Sequence, residues 1–213
     1  MLDSTPTLDK GPAVTYDAAM RSRIQDGDLV LCSGNGPMSR MIRWLTKSRF
    51  SHAGVLFHWH GRVLIAEAVG AHGVRVWLLS QAVKKYSGRV TLFQPTPEAR
   101  AKLDLSALLF GTLEYLGVGY RTMGLFQVGW HLIWGRKRAL KDPTRRPPKR
   151  EFICSEFVST AYRDAGVDLV PDVPDGFTTP ADIERSALLT RVGRLMPTDY
   201  TPRKIPEPKG FDK

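Results

Sequence analysis

The sequence is poor in cysteine and has no long uninterrupted apolar stretch, and each shortage closes off a class of protein. Only two cysteines, Cys32 and Cys154, occur in 213 residues. Two thiols cannot form the disulfide framework of a small secreted domain, and neither has the CxxC or HxxxH neighbour of a zinc site, so no metal or other cofactor is expected. No run reaches the roughly 18 apolar residues that span a bilayer. The start, Met1-Leu2-Asp3-Ser4-Thr5-Pro6, lacks the basic and apolar regions of a signal peptide. The expectation is a chain that is cytoplasmic as synthesised, soluble or membrane-peripheral, and that reaches a cell wall only by some other route. Acidic residues are scarce too, 21 against 31 Lys and Arg, a net charge of +10. That excess favours an anionic partner: nucleic acid, an anionic membrane or a polyanionic cell-wall polymer. Internal repeats and low-complexity tracts are absent.

What is present is unevenly distributed. Eight of the fifteen residues 136–150 are basic and only Asp142 is acidic, while Pro143, Pro147 and Pro148 argue for an exposed loop. Before it, residues 125–134 form an apolar segment holding Trp130 and Trp134. Rings followed by a polybasic run are the pattern of an interfacial membrane contact, which makes residues 125–150 the candidate contact with an anionic membrane. A core helix followed by a solvated loop is the alternative. Nothing in the pattern specifies a nucleic acid, and oligomeric state is not readable.

The length suits one core. Residues 1–25 read as a loose leader containing a short helix at 18–23, residues 26–195 as one domain including the basic loop, and 196–213 as a tail. Strands are expected at 28–32, 53–58, 62–68, 74–77 and 89–93, with His60-Gly61 as a two-residue hairpin turn. Helices are expected at 37–46, 99–115, 152–162 and 180–187, the last opening at a Thr179 cap. Strands early and helices late indicate α+β: an antiparallel sheet, barrel-like if it closes, with helices packed on it.

Cys154 stands on the first turn of the helix expected over 152–162, where unpaired N–H groups and the helix dipole stabilise a thiolate and make the sulfur a nucleophile. It needs a base. Of the five histidines, His58 and His60 lie at the hairpin tip, His72 in a glycine turn and His131 among tryptophans. His52 differs, opening a strand among the small residues Ser51, Ala53 and Gly54. The other strand of the hairpin carries Glu67 in an apolar run, and a buried carboxylate needs a partner. With a two-residue turn the paired residue numbers sum to 121, which sets Glu67 diagonally from His52. A carboxylate there orients the imidazole and leaves its other nitrogen to act as base. A structural histidine beside a chance glutamate is the alternative. Cys32 reads as a core thiol at a strand end.

Gly-Asp-Leu-Val-Leu at 27–31, Ser-His-Ala-Gly-Val at 51–55, Glu-Ala at 67–68 and Cys-Ser-Glu-Phe-Val at 154–158 follow one another in an order that resembles the YiiX-like group of permuted papain-like cysteine amidases and peptidases, relatives of the NlpC-type enzymes. The resemblance spans roughly 26–187. It implies a circularly permuted papain-like fold, with Cys154 as nucleophile, His52 as base and Glu67 as orienter. Thr-Pro-Ala-Asp-Ile at 179–183 resembles the family's closing Pro-x-Asp element. Gly-Val-Gly-Tyr-Arg at 117–121 resembles its Gly-Lys-Pro-Tyr-Asp stretch without the lysine, proline and aspartate, leaving Tyr120 as a candidate substrate contact. Ser33 and Asn35, in the Ser-Gly-Asn-Gly turn, are candidates for substrate or oxyanion contact beside the Cys154 N–H.

Three functions fit these residues. One is hydrolysis of a peptide or peptidoglycan-type amide through an acyl-enzyme. Another is acyl transfer or ester and thioester hydrolysis on a lipid at a membrane, because the stretch around Cys154 also resembles the lecithin retinol acyltransferase group. The third is a non-catalytic module binding an anionic surface.

Overall fold

The computed structural model describes residues 13–70, 72–120 and 151–197. The apolar segment 125–134, the basic loop 136–150, His131 and most of the expected leader and tail lie outside the described residues.

The strands are β1 (Ala13–Thr15), β2 (Leu29–Ser33), β3 (His52–Trp59), β4 (Arg62–Val69), β5 (Gly73–Leu78), β6 (Arg89–Pro95), β7 (Gly119–Tyr120), β8 (Glu151–Phe152) and β9 (Leu189–Met196). The helices are α1 (Ala18–Arg23), α2 (Pro37–Thr46), α3 (Leu79–Lys85), α4 (Pro97–Lys102), α5 (Leu105–Glu114), α6 (Cys154–Asp164) and α7 (Pro180–Glu184). Seven strands form one sheet in the order β1-β9-β6-β2-β3-β4-β5. Six of them are antiparallel to their neighbours, and β1 joins the edge parallel to β9. The fold is α+β, as the order of strand and helix patterns implies.

Turn chemistry fixes the central hairpin. His60 and Gly61 both take positive φ, 46° and 72°, the backbone of a type I′ turn whose twist matches the strands it joins. The β3–β4 register therefore pairs Trp59 with Arg62 and Val55 with Ala66, the pairing expected from the sequence.

Alternation along the strands then builds two cores. Leu29 and Leu31 of β2, with Ala53, Val55, Ala66 and Ala68, pack against Phe157, Val158, Ala161 and Tyr162 of α6. Val30 and Cys32, with Leu56, Ile65 and Leu92, pack on the other face against Met20 of α1 and Leu79 and Val83 of α3. All residues of α6 from Cys154 to Tyr162 are buried. Gly166, at φ 92°, ends the segment in a conformation that glycine tolerates best.

Four expectations change. Residues 13–25 are not a loose leader, because β1 pairs with β9 and Tyr16, Met20 and Ile24 enter the second core. The helix expected over 99–115 is two helices: Leu103 is extended, and the Asp104 carboxylate accepts the Ala107 N–H at 2.9 Å, capping a fresh start. The cysteine helix starts at Cys154 rather than at 152, since Phe152 is held in β8 beside Tyr120 and Ile153 is extended. The last helix stops at Glu184.

Candidate active site

Both ends of the β2–α2–β3 crossover converge on Cys154. Ser33 closes β2, His52 opens β3, and Cys32 faces His52 across the ladder. α6 enters from the opposite layer with Cys154 as its first helical residue, where the N–H has no acceptor within the helix. The Glu156 carboxylate turns back to accept the Ile153 N–H at 3.4 Å and helps hold this helix start.

Cys154 lies close enough to His52 for its charge to act on the imidazole. Cys154 Sγ also lies 3.9 Å from the Ser51 carbonyl oxygen, within reach of an S–H donor. His52 Nε2 is 2.7 Å from Glu67 Oε2, which leaves Nδ1 as the imidazole nitrogen available to the sulfur. The diagonal read from the hairpin count is therefore a direct contact.

Glu67 uses both oxygens. Its Oε1 accepts from Arg75 Nε at 3.0 Å and Arg75 Nη2 at 2.7 Å, the fork geometry that a guanidinium offers a carboxylate. The sheet sets up this contact, because Glu67 pairs with Arg75 in the β4–β5 ladder. The guanidinium in turn lies 4.6 Å from the centroid of the Trp77 ring, two residues further along β5.

The electrostatics follow from these contacts. Burial alone would lower the His52 pKa, yet the neighbouring Cys154 sulfur and the Glu67 carboxylate raise it from 6.5 to about 10. Burial would raise Glu67, but the bonds to His52 and then Arg75 lower it from 4.5 to about 2. At neutral pH the carboxylate is ionised and the imidazole favours its protonated form.

Two residues without a local sequence signal complete the surroundings. The Tyr86 ring stacks on His52, centroids 6.4 Å apart at 21°. Burial pushes that phenol up. Ser51 joins the parts: its Oγ accepts the Gly34 N–H at 3.2 Å and its carbonyl faces Cys154. Arg75 could have been found by extending the strand count one strand further. Tyr86 could not, since it follows the unrecognised α3.

The other expected site residues divide. Tyr120 pairs with Phe152 two residues before Cys154 and is half-buried. Burial and then the charge of Cys154 push its phenol up. Asn35 is exposed and donates its side-chain amide to the Ser87 carbonyl. Ser33 is buried in β2, and the N–H of Gly34 beside it is engaged by Ser51. The Gly34 N–H and the Asn35 side-chain amide are thus bound within the fold.

The fold is the YiiX fold: the crystal structure of the metalloprotein YiiX from Escherichia coli O157:H7 superposes with a TM-score of 0.57 at 19% identity, covering 81% of this chain and 98% of that one. The sequence is also 26% identical over 177 residues to YaeF of Escherichia coli strain K12, a probable lipoprotein peptidase, over 75% of this chain. Only 62% of the length of that relative is spanned. Together the two likenesses support the YiiX-like resemblance carried by the motifs. No family model matches the chain.

The word metalloprotein applies to the YiiX structure. Among the described residues of this chain no group of three or more His, Cys, Asp or Glu side chains could hold a metal ion. The nearest candidate donors do not fit one, because both Glu67 oxygens are taken by His52 and Arg75. Among the described residues no helix is long and apolar enough to cross a membrane.

Proposed function

We propose that this chain is a cysteine hydrolase acting on an amide of peptide or peptidoglycan type, with Cys154 as nucleophile, His52 as base and Glu67 as orienter. One observation carries the reading: a thiol at a helix start lies 3.9 Å from the Ser51 carbonyl oxygen, and the next residue, His52, rests its Nε2 2.7 Å from a buried carboxylate. The likeness to a probable lipoprotein peptidase suggests a hydrolase and a peptide substrate.

The chemistry follows from the groups. The thiolate attacks the amide carbon while His52 carries the proton. The Cys154 N–H, unpaired within its helix, stabilises the oxyanion. The C–N bond breaks as His52 protonates the leaving amine, giving a thioester on Cys154. Water, deprotonated by His52, then attacks the thioester and releases the carboxylic acid and the thiolate. Glu67 keeps the imidazole oriented and stabilises its positive form throughout. Tyr120, paired with Phe152 two residues before Cys154, is the candidate substrate contact.

The test is a trapped adduct. Incubation with muropeptides and, separately, with lipid vesicles, followed by mass spectrometry, is expected to show an acyl group on Cys154 from the amide substrate and none in Cys154→Ala. An adduct formed from lipid alone would overturn the amide reading in favour of acyl transfer.

A further inference from the structure

The link between β2 and β3 contains an amphipathic helix that the fold leaves uncovered. No residue of α2 is buried. Its Met41, Ile42 and Leu45 are only half-covered, Met38 is 45% exposed and Trp44 is 77% exposed, the most exposed large apolar side chain among the described residues. Arg40 and Trp44 stand one turn apart on one helix face, Lys47 caps the helix just beyond its last turn, and all three are exposed. No Asp or Glu occurs between Asp28 and Glu67, and Glu184 of α7, the acidic group that meets the end of this connection, pairs with Arg49 and Ser48.

We propose that α2 seats this protein on an anionic bilayer surface, with Trp44 at headgroup level and Arg40 and Lys47 on lipid phosphates. Charge and size both favour lipid as the occupant. The chain carries +10, and exposed cations flanking an exposed tryptophan complement an anionic interface. A ten-residue helix is about 15 Å long. Its outer face offers far less than the roughly 800 Å² per partner of a standard protein interface, whereas a bilayer imposes no such minimum. Duplex nucleic acid, with its bases already stacked on one another, would leave Trp44 without a counterpart.

The position of the helix gives the contact a use. α2 lies between the strand that ends at Ser33 and the strand that begins at His52, and the Gly34 N–H ties that crossover to Ser51 beside Cys154. A bilayer under α2 holds the thiol next to substrates anchored in that bilayer. This second half rests on the hydrolase reading, while the docking does not.

The experiment separates them. Full-length Cys154→Ala protein is sedimented with phosphatidylcholine vesicles and with vesicles that also contain phosphatidylglycerol. Salt-sensitive binding to the anionic vesicles alone is expected, weakened by about tenfold or more in Arg40→Glu/Trp44→Ser/Lys47→Glu. An unchanged rate of Cys154 alkylation in the same triple variant on the Cys154 background shows that it is folded, and the single Trp44→Ser variant serves if it is not. No binding by the parent, undiminished binding by the variants, or equal retention on a DNA fragment independent of Trp44 would each overturn the docking. A second arm compares cleavage of one peptide free and lipid-anchored on the vesicles. A preference for the anchored form that the triple variant loses supports surface delivery. Binding without cleavage of either form upholds the docking and overturns the hydrolase reading.

Discussion

Cys154 and Cys32 are equally buried, 3% and 2% exposed, and lie on either side of the same histidine, yet their surroundings prepare them for different fates. Cys32 sits inside β2 in the apolar core beneath α1 and α3. Burial pushes its thiol well up, and the charges of Glu67 and Cys154 push it further. Cys154 sits where a helix begins, beside an imidazole whose positive form is favoured by the charge of Cys154 and by the Glu67 carboxylate. Depth does not make a thiol a nucleophile. A compensating positive charge and an open backbone donor do.

The comparison breaks most visibly by deleting each thiol. Cys154→Ala is expected to reduce amide turnover by at least about 10⁴-fold, while Cys32→Ala keeps activity within a few-fold, both read as kcat/KM on a peptide substrate. Equal losses would mean that Cys32 takes part in the chemistry. His52→Ala should approach the same loss, and Glu67→Gln should cost on the order of 10²–10⁴-fold. A Glu67→Gln enzyme with unaltered kcat would remove the carboxylate from the mechanism.

Arg75 sharpens the picture at smaller scale. Arg75→Met removes two charge-assisted bonds from Glu67, and is expected to lower kcat by about tenfold and to shift the acid limb of the kcat/KM pH profile upward. Arg75→Lys, which keeps charge but not the fork, should recover part of both. A uniform loss of folded protein with an unmoved pH profile would make the residue purely structural.

The smallest effect is on stability against pH. His52 titrates higher folded than unfolded, so its contribution is complete below about 6.5 and is lost as pH rises through about 10. Glu67 titrates lower folded, so its contribution is complete above about 4.5 and is lost as pH falls through about 2. Both are fully present between about 4.5 and 6.5, and together they amount to on the order of a few kcal/mol. Urea midpoints measured across pH should show that plateau, and His52→Ala should flatten its alkaline side.

Local chemistry decided what could be read beforehand. A two-residue turn fixes a hairpin register by itself, so the contact between His52 and Glu67 was legible from His60-Gly61 outward. Pro37 at a helix start and the Thr179 cap announced their helices in the same way. Long-range pairing was not legible. β9 joins the sheet between β1 and β6 through contacts that span most of the chain, and no local pattern specifies such partners. The Tyr86 stack and the engagement of Gly34 by Ser51 depend likewise on elements distant in sequence.

That placement of β9 has a consequence for how the protein is made. A strand from one end of the described chain is inserted between β1, from the other end, and β6. Until residue 196 has left the ribosome the sheet stops at β6, with an open edge able to recruit a strand from another chain. Nascent chains stalled before residues 189–196 should therefore aggregate, even though Cys154, His52 and Glu67 have all been synthesised by then.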